Sequence, residues 1–306
     1  MTASAPASLS NLGPGFDALG LAITGAGDRV TATRTDAPGV TVTSITAVDG
    51  LALPALPTDA ARNTAARAAA HVLRVAGAPG GLALAIEKGI PLGSGIGGSA
   101  ASAVAGAVAA DAALGAGLDA SALLAAALDG EAAVSGAAHA DNVAPSLLGG
   151  LVLVDAAARW RRIQTPTLPP LAVVLPDVTV LTRDARAVLP PSVARADASA
   201  QAAGLAFLLD ALRAGDWDEA GGRMMTDRLA EPHRARLVPV YDAVRAAALA
   251  AGAAGVCLSG SGPAMVALAP SAPDAVLAAM SDAAGPGARA WLARADDGAH
   301  VVRREG

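Results

Sequence analysis

Between residues 91 and 102 the chain reads Pro91-Leu92-Gly93-Ser94-Gly95-Ile96-Gly97-Gly98-Ser99-Ala100-Ala101-Ser102. The chemistry open to such a segment is anion binding by main-chain N–H groups. Glycines at 93, 95, 97 and 98 let the backbone take positive φ and approach a ligand closely. The small residues that follow predict a helix, whose first turn presents unpaired donors and a partial positive charge. Ser99, at that helix start, is placed to set its hydroxyl on a phosphate-bound Mg2+. A second reading of the same residues is a tight strand-to-helix turn with no ligand. A third is a dinucleotide site, because Gly93-Ser94-Gly95-Ile96-Gly97-Gly98 formally fits G-x-G-x-x-G. That fingerprint needs an acid about 20 residues further on, at the end of a second strand. Asp119 has the spacing, but it falls where a helix cap is predicted and no strand precedes it.

Three more segments concentrate polar chemistry. Ser10-Asn11-Leu12-Gly13-Pro14-Gly15-Phe16-Asp17 is a Gly/Pro turn ahead of the apolar run 18–23, and Ser259-Gly260-Ser261-Gly262-Pro263 is a Gly/Ser loop between two apolar runs. Taken alone, each reads as a surface loop or hairpin. The stretch from Gly130 to Pro145 gathers Glu131, His139, Asp141 and Asn142 in an alanine-leucine background. On one straight helix Glu131 and Asn142 would share a face but lie about 16 Å apart. For both to reach one small ligand, the helix must end near Gly136 and the chain must turn back.

Composition removes several classes of function. The 306 residues are 53% hydrophobic and 16% charged, so a core is easily filled and disorder is excluded. A net charge of −5 argues against nucleic acid or an anionic membrane surface as partner. The single cysteine, Cys257, rules out an internal disulfide framework, and the four histidines show no paired spacing for zinc. Lys88 is the only lysine and lies in Glu87-Lys88-Gly89, which excludes a Gly-Lys-Ser/Thr phosphate loop. Residues 89–110 carry no charge and are long enough to span a bilayer, but their Gly/Ser-rich first half reads as a buried soluble element. No basic segment precedes Arg29, so no secretory signal is expected.

The elements that must position these residues follow from periodicity and caps. Strands are predicted near 29–34, 40–46, 82–88 and 150–155, and helices at 59–75, 99–114 and 119–135. Thr58 or Asp59 is the expected cap of the first helix, Gly77 its stop, and Asp119 the cap of the third. The second half opens with the apolar run 171–175, followed by a helix near 192–214 capped by Ser192 and another at 239–251. Strands at 255–259 and 264–269, a helix near 273–284 and a strand near 288–294 close it. Reduced to its skeleton this is β-α-β-β-α-β, the ferredoxin-like order. Arginines and prolines break the apolar pattern at 155–170, so the expected domains are 1–160 and 161–306.

The four polar segments, in this order, resemble the GHMP small-molecule kinases, and among these the branch that acts on homoserine. PLGSGIGGSAAS is similar to the family's phosphate-binding motif, SNLGPGFDALGL to its N-terminal substrate motif and LSGSGPAMVAL to its C-terminal glycine motif. SGAAHADNVAPSLLGG marks the branch through its His-Ala-Asp-Asn-Val-Ala-Pro core. The resemblance runs from about residue 4 to 268. It implies an α+β, two-domain GHMP kinase fold, with a mixed α/β N-terminal domain followed by the ferredoxin-like C-terminal domain. One position departs from the motif: Gly98 stands where the first serine of a Ser-Ser pair is usual.

The resemblance also implies roles. Ser99 and Glu131 would hold Mg2+ on ATP, and Pro91, Gly93, Ser94, Gly95, Ile96, Gly97, Gly98, Ser99 and Ala100 would wrap the phosphates. Asn63 would lie beside the adenine. Asn11, Asp17, His139 and Asn142 would line the amino-acid pocket, with Thr182, Arg186, Arg234 and Gly262 from the second half. Homoserine is a zwitterion with a primary hydroxyl, so its ammonium needs an acid, here Asp17. Its carboxylate needs a planar cation, here Arg186 and Arg234. Asn142 stands where related kinases often carry an aspartate base, so catalysis is expected by positioning and charge stabilisation, with Ser99, Glu131 and Asn142 at the centre. The expected partners are ATP and L-homoserine, with no nucleic acid and no membrane, in a cytoplasmic homodimer on the route to threonine. The alternatives are another GHMP-type kinase, an NAD(P)-dependent oxidoreductase using the G-x-G-x-x-G match, and a non-catalytic ATP-binding module.

Overall fold

The computed structural model describes residues 1–48, 50–135 and 138–302. In chain order the elements are β1 (Thr2–Asn11), β2 (Gly15–Thr35), β3 (Gly39–Ala47), α1 (Thr64–Ala76), β4 (Gly81–Lys88), α2 (Gly98–Leu114), α3 (Ala120–Ser135), α4 (Ala140–Leu148), β5 (Leu151–Val154) and β6 (Trp160–Arg162). Then follow β7 (Leu171–Leu175), α5 (Thr182–Ala187), α6 (Arg195–Ala214), α7 (Trp217–Met224), α8 (Glu231–Arg234), α9 (Tyr241–Ala250), β8 (Gly255–Leu258), β9 (Met265–Leu268), α10 (Pro273–Ala284), β10 (Arg289–Ala293) and β11 (His300–Val302).

Two sheets result. The larger runs β11-β1-β2-β4-β3, with β5 and β6 added where β2 extends past β4. All its pairings are antiparallel except β3 with β4, which are parallel and joined through α1. The smaller sheet has the order β10-β7-β9-β8, antiparallel throughout. Numbered within the second half, that is 4-1-3-2, the order expected of the β-α-β-β-α-β skeleton. The chain returns to the first sheet at its end, where β11 covers the edge of β1 (Thr2 opposite Val302). Sheet membership therefore crosses the sequential division expected at residue 160.

The sheets are tied together at β2 and β10. Trp291 Nε1 donates to the Thr24 carbonyl at 3.2 Å, and a Cβ at Gly25 would lie 2.5 Å from the Trp291 ring. Only glycine admits the indole there.

Alanine sets the packing of the helical layer. α1, α2 and α3 lie against one another, and Ala65, Ala68, Ala103, Ala107, Ala126 and Ala127 on them are all fully buried in one core. Gly106 and Gly130 allow the closest approaches: a Cβ at Gly106 would sit 2.4 Å from the Ala65 carbonyl oxygen, and one at Gly130 2.5 Å from that of Thr64. Interiors packed this closely have no slack for an added methyl. Two expected caps are corrected. α1 is capped by Asn63, whose Oδ1 accepts the Ala66 N–H at 3.1 Å, while Asp59 caps a 3-10 turn at Ala60–Arg62. α6 begins at Arg195 after Ala194, with no side-chain cap from Ser192. Asp119 does accept the Ala122 N–H, at 2.8 Å, and Gly77 ends α1 in the left-handed conformation.

Gly106→Ala is expected to cost about 1–3 kcal/mol by overpacking the α1–α2 contact. Thermal unfolding followed by far-UV circular dichroism should show the lowered midpoint without a change in native helix content.

Candidate active site

The glycine loop between β4 and α2 takes φ of +63°, +76° and +71° at Gly93, Gly95 and Gly97. A Cβ at Gly97 would meet Ser8 Oγ at 2.2 Å, so the motif's glycines are needed for space as well as torsion. Four of the loop's carbonyls are taken up by the surrounding protein. Gly93 O accepts from Val180 N–H at 3.2 Å, Ser94 O from Ala264 N–H at 3.1 Å, Gly95 O from Ser259 Oγ at 2.7 Å and Ile96 O from Ser8 N–H at 3.2 Å. Among the described residues, the N–H groups of Gly95, Ile96 and Gly97 donate to no protein acceptor. Gly97 also caps α2 without a side chain, leaving the first turn of that helix open. Open amides at a helix N-terminus form an anion site.

Gly98 has a structural reason. A Cβ there would lie 2.9 Å from Ile90 Cγ2, so a serine would press into a buried isoleucine. Ser99, the next residue, faces the cleft. Its Oγ donates to Glu131 Oε1 at 2.9 Å, and His139 Nδ1 lies 3.2 Å from the same oxygen. The bond to Glu131 raises the His139 pKa, against the opposing effect of burial. His139 Nε2 is buried and has no partner among the described residues. α3 ends at Ser135 and α4 begins at Ala140, which brings Glu131 and Asn142 to one cleft. The turn expected near Gly136 lies outside the described residues.

The far wall carries charge. Asp17, in the left-handed region at φ +53°, is held by its own N–H donating to Asn11 Oδ1 at 3.2 Å. Its carboxylate takes a two-pronged bond from Arg186, both contacts 3.1 Å. Both side chains are about two-fifths exposed, so the pair is worth at most about 1 kcal/mol. Arg234 is buried, donates to the Ala185 and Gly260 carbonyls at 3.2 and 2.7 Å, and lies over the Phe16 ring 5.2 Å from its centroid. Burial draws its pKa down from the usual value. Asn142 is a linker: Ser8 Oγ donates to its Oδ1 at 3.1 Å, and its Nδ2 donates to Ser10 Oγ at 3.2 Å.

The cleft is lined by Pro91, Gly93, Ser94, Gly95, Gly97, Gly98, Ser99 and Ala100 on one side, and by Asn11, Asp17, Glu131, His139, Asn142, Thr182, Arg186 and Arg234 on the other. Three expected residues, Ile96, Gly262 and Asn63, are not in its lining. Ile96 is fully buried in the core, and Gly262 stands behind the cleft while Gly260 and Ser261 face it. Asn63 lines a neighbouring, mostly apolar cavity with Ile45, Leu56 and Ile86, which meets the cleft at Leu92 and Ser99. The sequence reading gave no site role to Ser10, Leu92, Asp141, Gly260 and Ser261, which also line the cleft. Asp141 is the most consequential: it is buried in the cleft wall, and desolvation, reinforced by the negative charge of Asp17, raises its pKa to about 6. Its only signal in the sequence is its place beside Asn142. The dinucleotide reading fails on structure, because Asp119 caps α3 and no strand stands between α2 and α3.

A phosphate-type loop between a largely antiparallel sheet and a ferredoxin-like second unit defines the class. The sequence model of the GHMP kinases N terminal domain matches residues 63–150, and that of the GHMP kinases C terminal region matches 208–286. A homoserine kinase of Halorubrum lacusprofundi is 40% identical over 306 residues, 99% of each chain. One from Pyrococcus abyssi is 39% identical over 264 residues, 86% of each. The crystal structure of homoserine kinase from Cytophaga hutchinsonii superposes with a TM-score of 0.90 at 37% identity, covering 99% of this chain and 97% of that one. The chain belongs to the homoserine kinase family of the GHMP kinases.

The raised Asp141 pKa has a stability consequence with a definite sign. A carboxyl whose folded pKa exceeds its unfolded value favours folding while protonated, and that contribution is lost as pH rises from about 4 through about 6. Asp141→Asn should therefore unfold at higher temperature than the parent above pH 6.5, by up to about 3 kcal/mol. The difference should shrink toward zero near pH 4 in melting curves recorded across that range.

Proposed function

We propose that this chain transfers the terminal phosphoryl group of ATP to the side-chain hydroxyl of L-homoserine, a step toward threonine. The observation that carries the reading is one cleft with open main-chain amides on one wall and paired opposite charges on the other. A polyphosphate suits the first wall and an amino-acid zwitterion the second. Asn63 and the apolar cavity beside it would take the adenine.

The charged wall accounts for substrate choice. Asp17 and Arg186 satisfy each other when no substrate is present. A zwitterion exchanges that one exposed pair for two, its ammonium on Asp17 and its carboxylate on Arg186 and Arg234. The pair opened is weak, so the exchange costs little. Thr182 borders the same space.

Mg2+ fits the Ser99–Glu131 pair, which offers a hydroxyl and a carboxylate oxygen 2.9 Å apart. No cluster of three His, Cys, Asp or Glu able to hold a metal by itself occurs among the described residues, as suits an ion carried mainly by phosphate and water. When bound, Mg2+ neutralises charge on the transferring phosphoryl group. The amides of the loop and of the α2 N-terminus do the same from the protein side. Asn142 accepts no proton, so its part is to orient the acceptor, and the hydroxyl proton leaves to phosphate or water. No helix among the described residues is long and apolar enough to cross a membrane. A cytoplasmic homodimer belongs to the same reading, and light scattering at the mass of one chain would correct the oligomeric part.

An ADP-release assay over amino acids, mevalonate and sugars tests the assignment. Turnover on homoserine is expected, and turnover only on another alcohol would overturn the substrate. Glu131→Ala should reduce kcat by orders of magnitude while the melting curve stays cooperative. Arg234→Ala should raise KM for homoserine well above tenfold and leave KM for ATP nearly unchanged, since Arg234 lies on the charged wall.

A further inference from the structure

The only lysine in the sequence lies directly beneath the phosphate loop, although motif arithmetic excludes it from a phosphate-loop role. Lys88 is 3% exposed and Asp28, on β2, is fully buried. Lys88 Nζ donates to Asp28 Oδ2, to the Gly98 carbonyl at 2.9 Å and to Ser102 Oγ at 2.8 Å, which uses all three of its donors. Asp28 is equally occupied. Its Oδ1 accepts the N–H groups of Gly89 and Ile90 at 3.0 and 3.3 Å, and its Oδ2 also accepts Ser102 Oγ at 2.6 Å. One ion pair thus ties the entry of the loop, Gly89 and Ile90, to its exit at Gly98 and to the second turn of α2.

We propose that Lys88 is a positioning residue for phosphoryl transfer, acting with Asp28 and Ser102 to fix the first turn of α2. The orientation of the Ser99 hydroxyl and of the open amides depends on that turn. The inference deepens the kinase reading and rests on it. Two physical points support it. A buried ion pair contributes little net stability compared with apolar residues of the same volume, so stability alone does not account for it. Its charge is also cancelled by Asp28 within the same network, so Lys88 is not a cation offered to phosphate. What remains is geometry: the Gly98 carbonyl is fixed, and the Ser99 amide across the same peptide bond is fixed with it.

The test uses the full chain carrying Lys88→Met with Asp28→Asn, a nearly isosteric, charge-neutral pair in which the asparagine oxygen can still accept from Gly89 and Ile90. Positioning predicts a cooperative melt, a kcat at least tenfold lower at saturating ATP and homoserine, and a KM for homoserine within twofold of the parent. A folded double variant with parental kcat would show a merely structural pair and overturn the proposal. A rise confined to KM for ATP would show direct nucleotide contact and overturn it as well. If the double variant fails to fold, Ser102→Ala decides: because Ser102 also borders the cavity beside Asn63, a threefold or greater loss of kcat at saturating ATP with KM for ATP within twofold supports the proposal, and an unchanged kcat or a change confined to KM for ATP rejects it. Absence of ATP-dependent turnover in the unaltered chain would remove the parent reading and this one together, a failure visible before any variant is made.

Discussion

A peptide group has two ends, and fixing the carbonyl fixes the amide. The site depends on that constraint. Four successive carbonyls, Gly93 to Ile96, are held by Val180, Ala264, Ser259 and Ser8, which come from the segment after β7, from the β8–β9 turn and from β1. With the oxygens held by the surrounding protein, the N–H groups of Gly95 and Gly97, both in the cleft lining, need no side chain to aim them. The partial charge of the α2 N-terminus adds to them because Gly97 leaves that terminus uncapped. A chain with one lysine can therefore present a concentrated positive surface.

The opposite wall works by a different principle. Its groups are full charges already matched to one another, Asp17 to Arg186, with both guanidinium groups lying near the face of Phe16. Arg234 is immobilised by two carbonyls, whereas Arg186 is half-exposed on a short helix. One cation is thus rigid and the other can exchange partners. Asp141 sits behind them, where burial and the neighbouring Asp17 make ionisation costly. The first wall is built by backbone order, the second by side-chain charge, and the two meet at Ser99, Glu131 and Asn142.

Much of this was legible in the residues. The glycine pattern of 93–98 announced a loop that only a helix N-terminus could complete, and α2 begins at Gly98. The run 171–175 and the helix at 273–284 appear with the bounds their composition suggested. Other elements were hidden for physical reasons. β1 is nearly all buried; its Ala and Ser alternate with little contrast in hydropathy, and Thr2 is its one β-branched residue, so the period-2 signal is faint. β2 is one strand of 21 residues, but Gly25 and Gly27 cut its pattern into two apparent pieces. Asp141 stands out in sequence only as one polar residue of the stretch 130–145, and its burial is a property of the packed fold. Lys88 acquires its meaning only from Asp28 on another strand, and no local motif records such a pairing.

The junction at Trp291 has an optical consequence. The three indoles are on β6, at the start of α7 and on β10, and none of them lines the cleft or the apolar cavity beside it. Indole emission is therefore remote from whatever enters the cleft. Of the three, Trp291 alone bridges the two sheets through the Thr24 carbonyl, so its quantum yield reports whether the halves of the molecule are seated together.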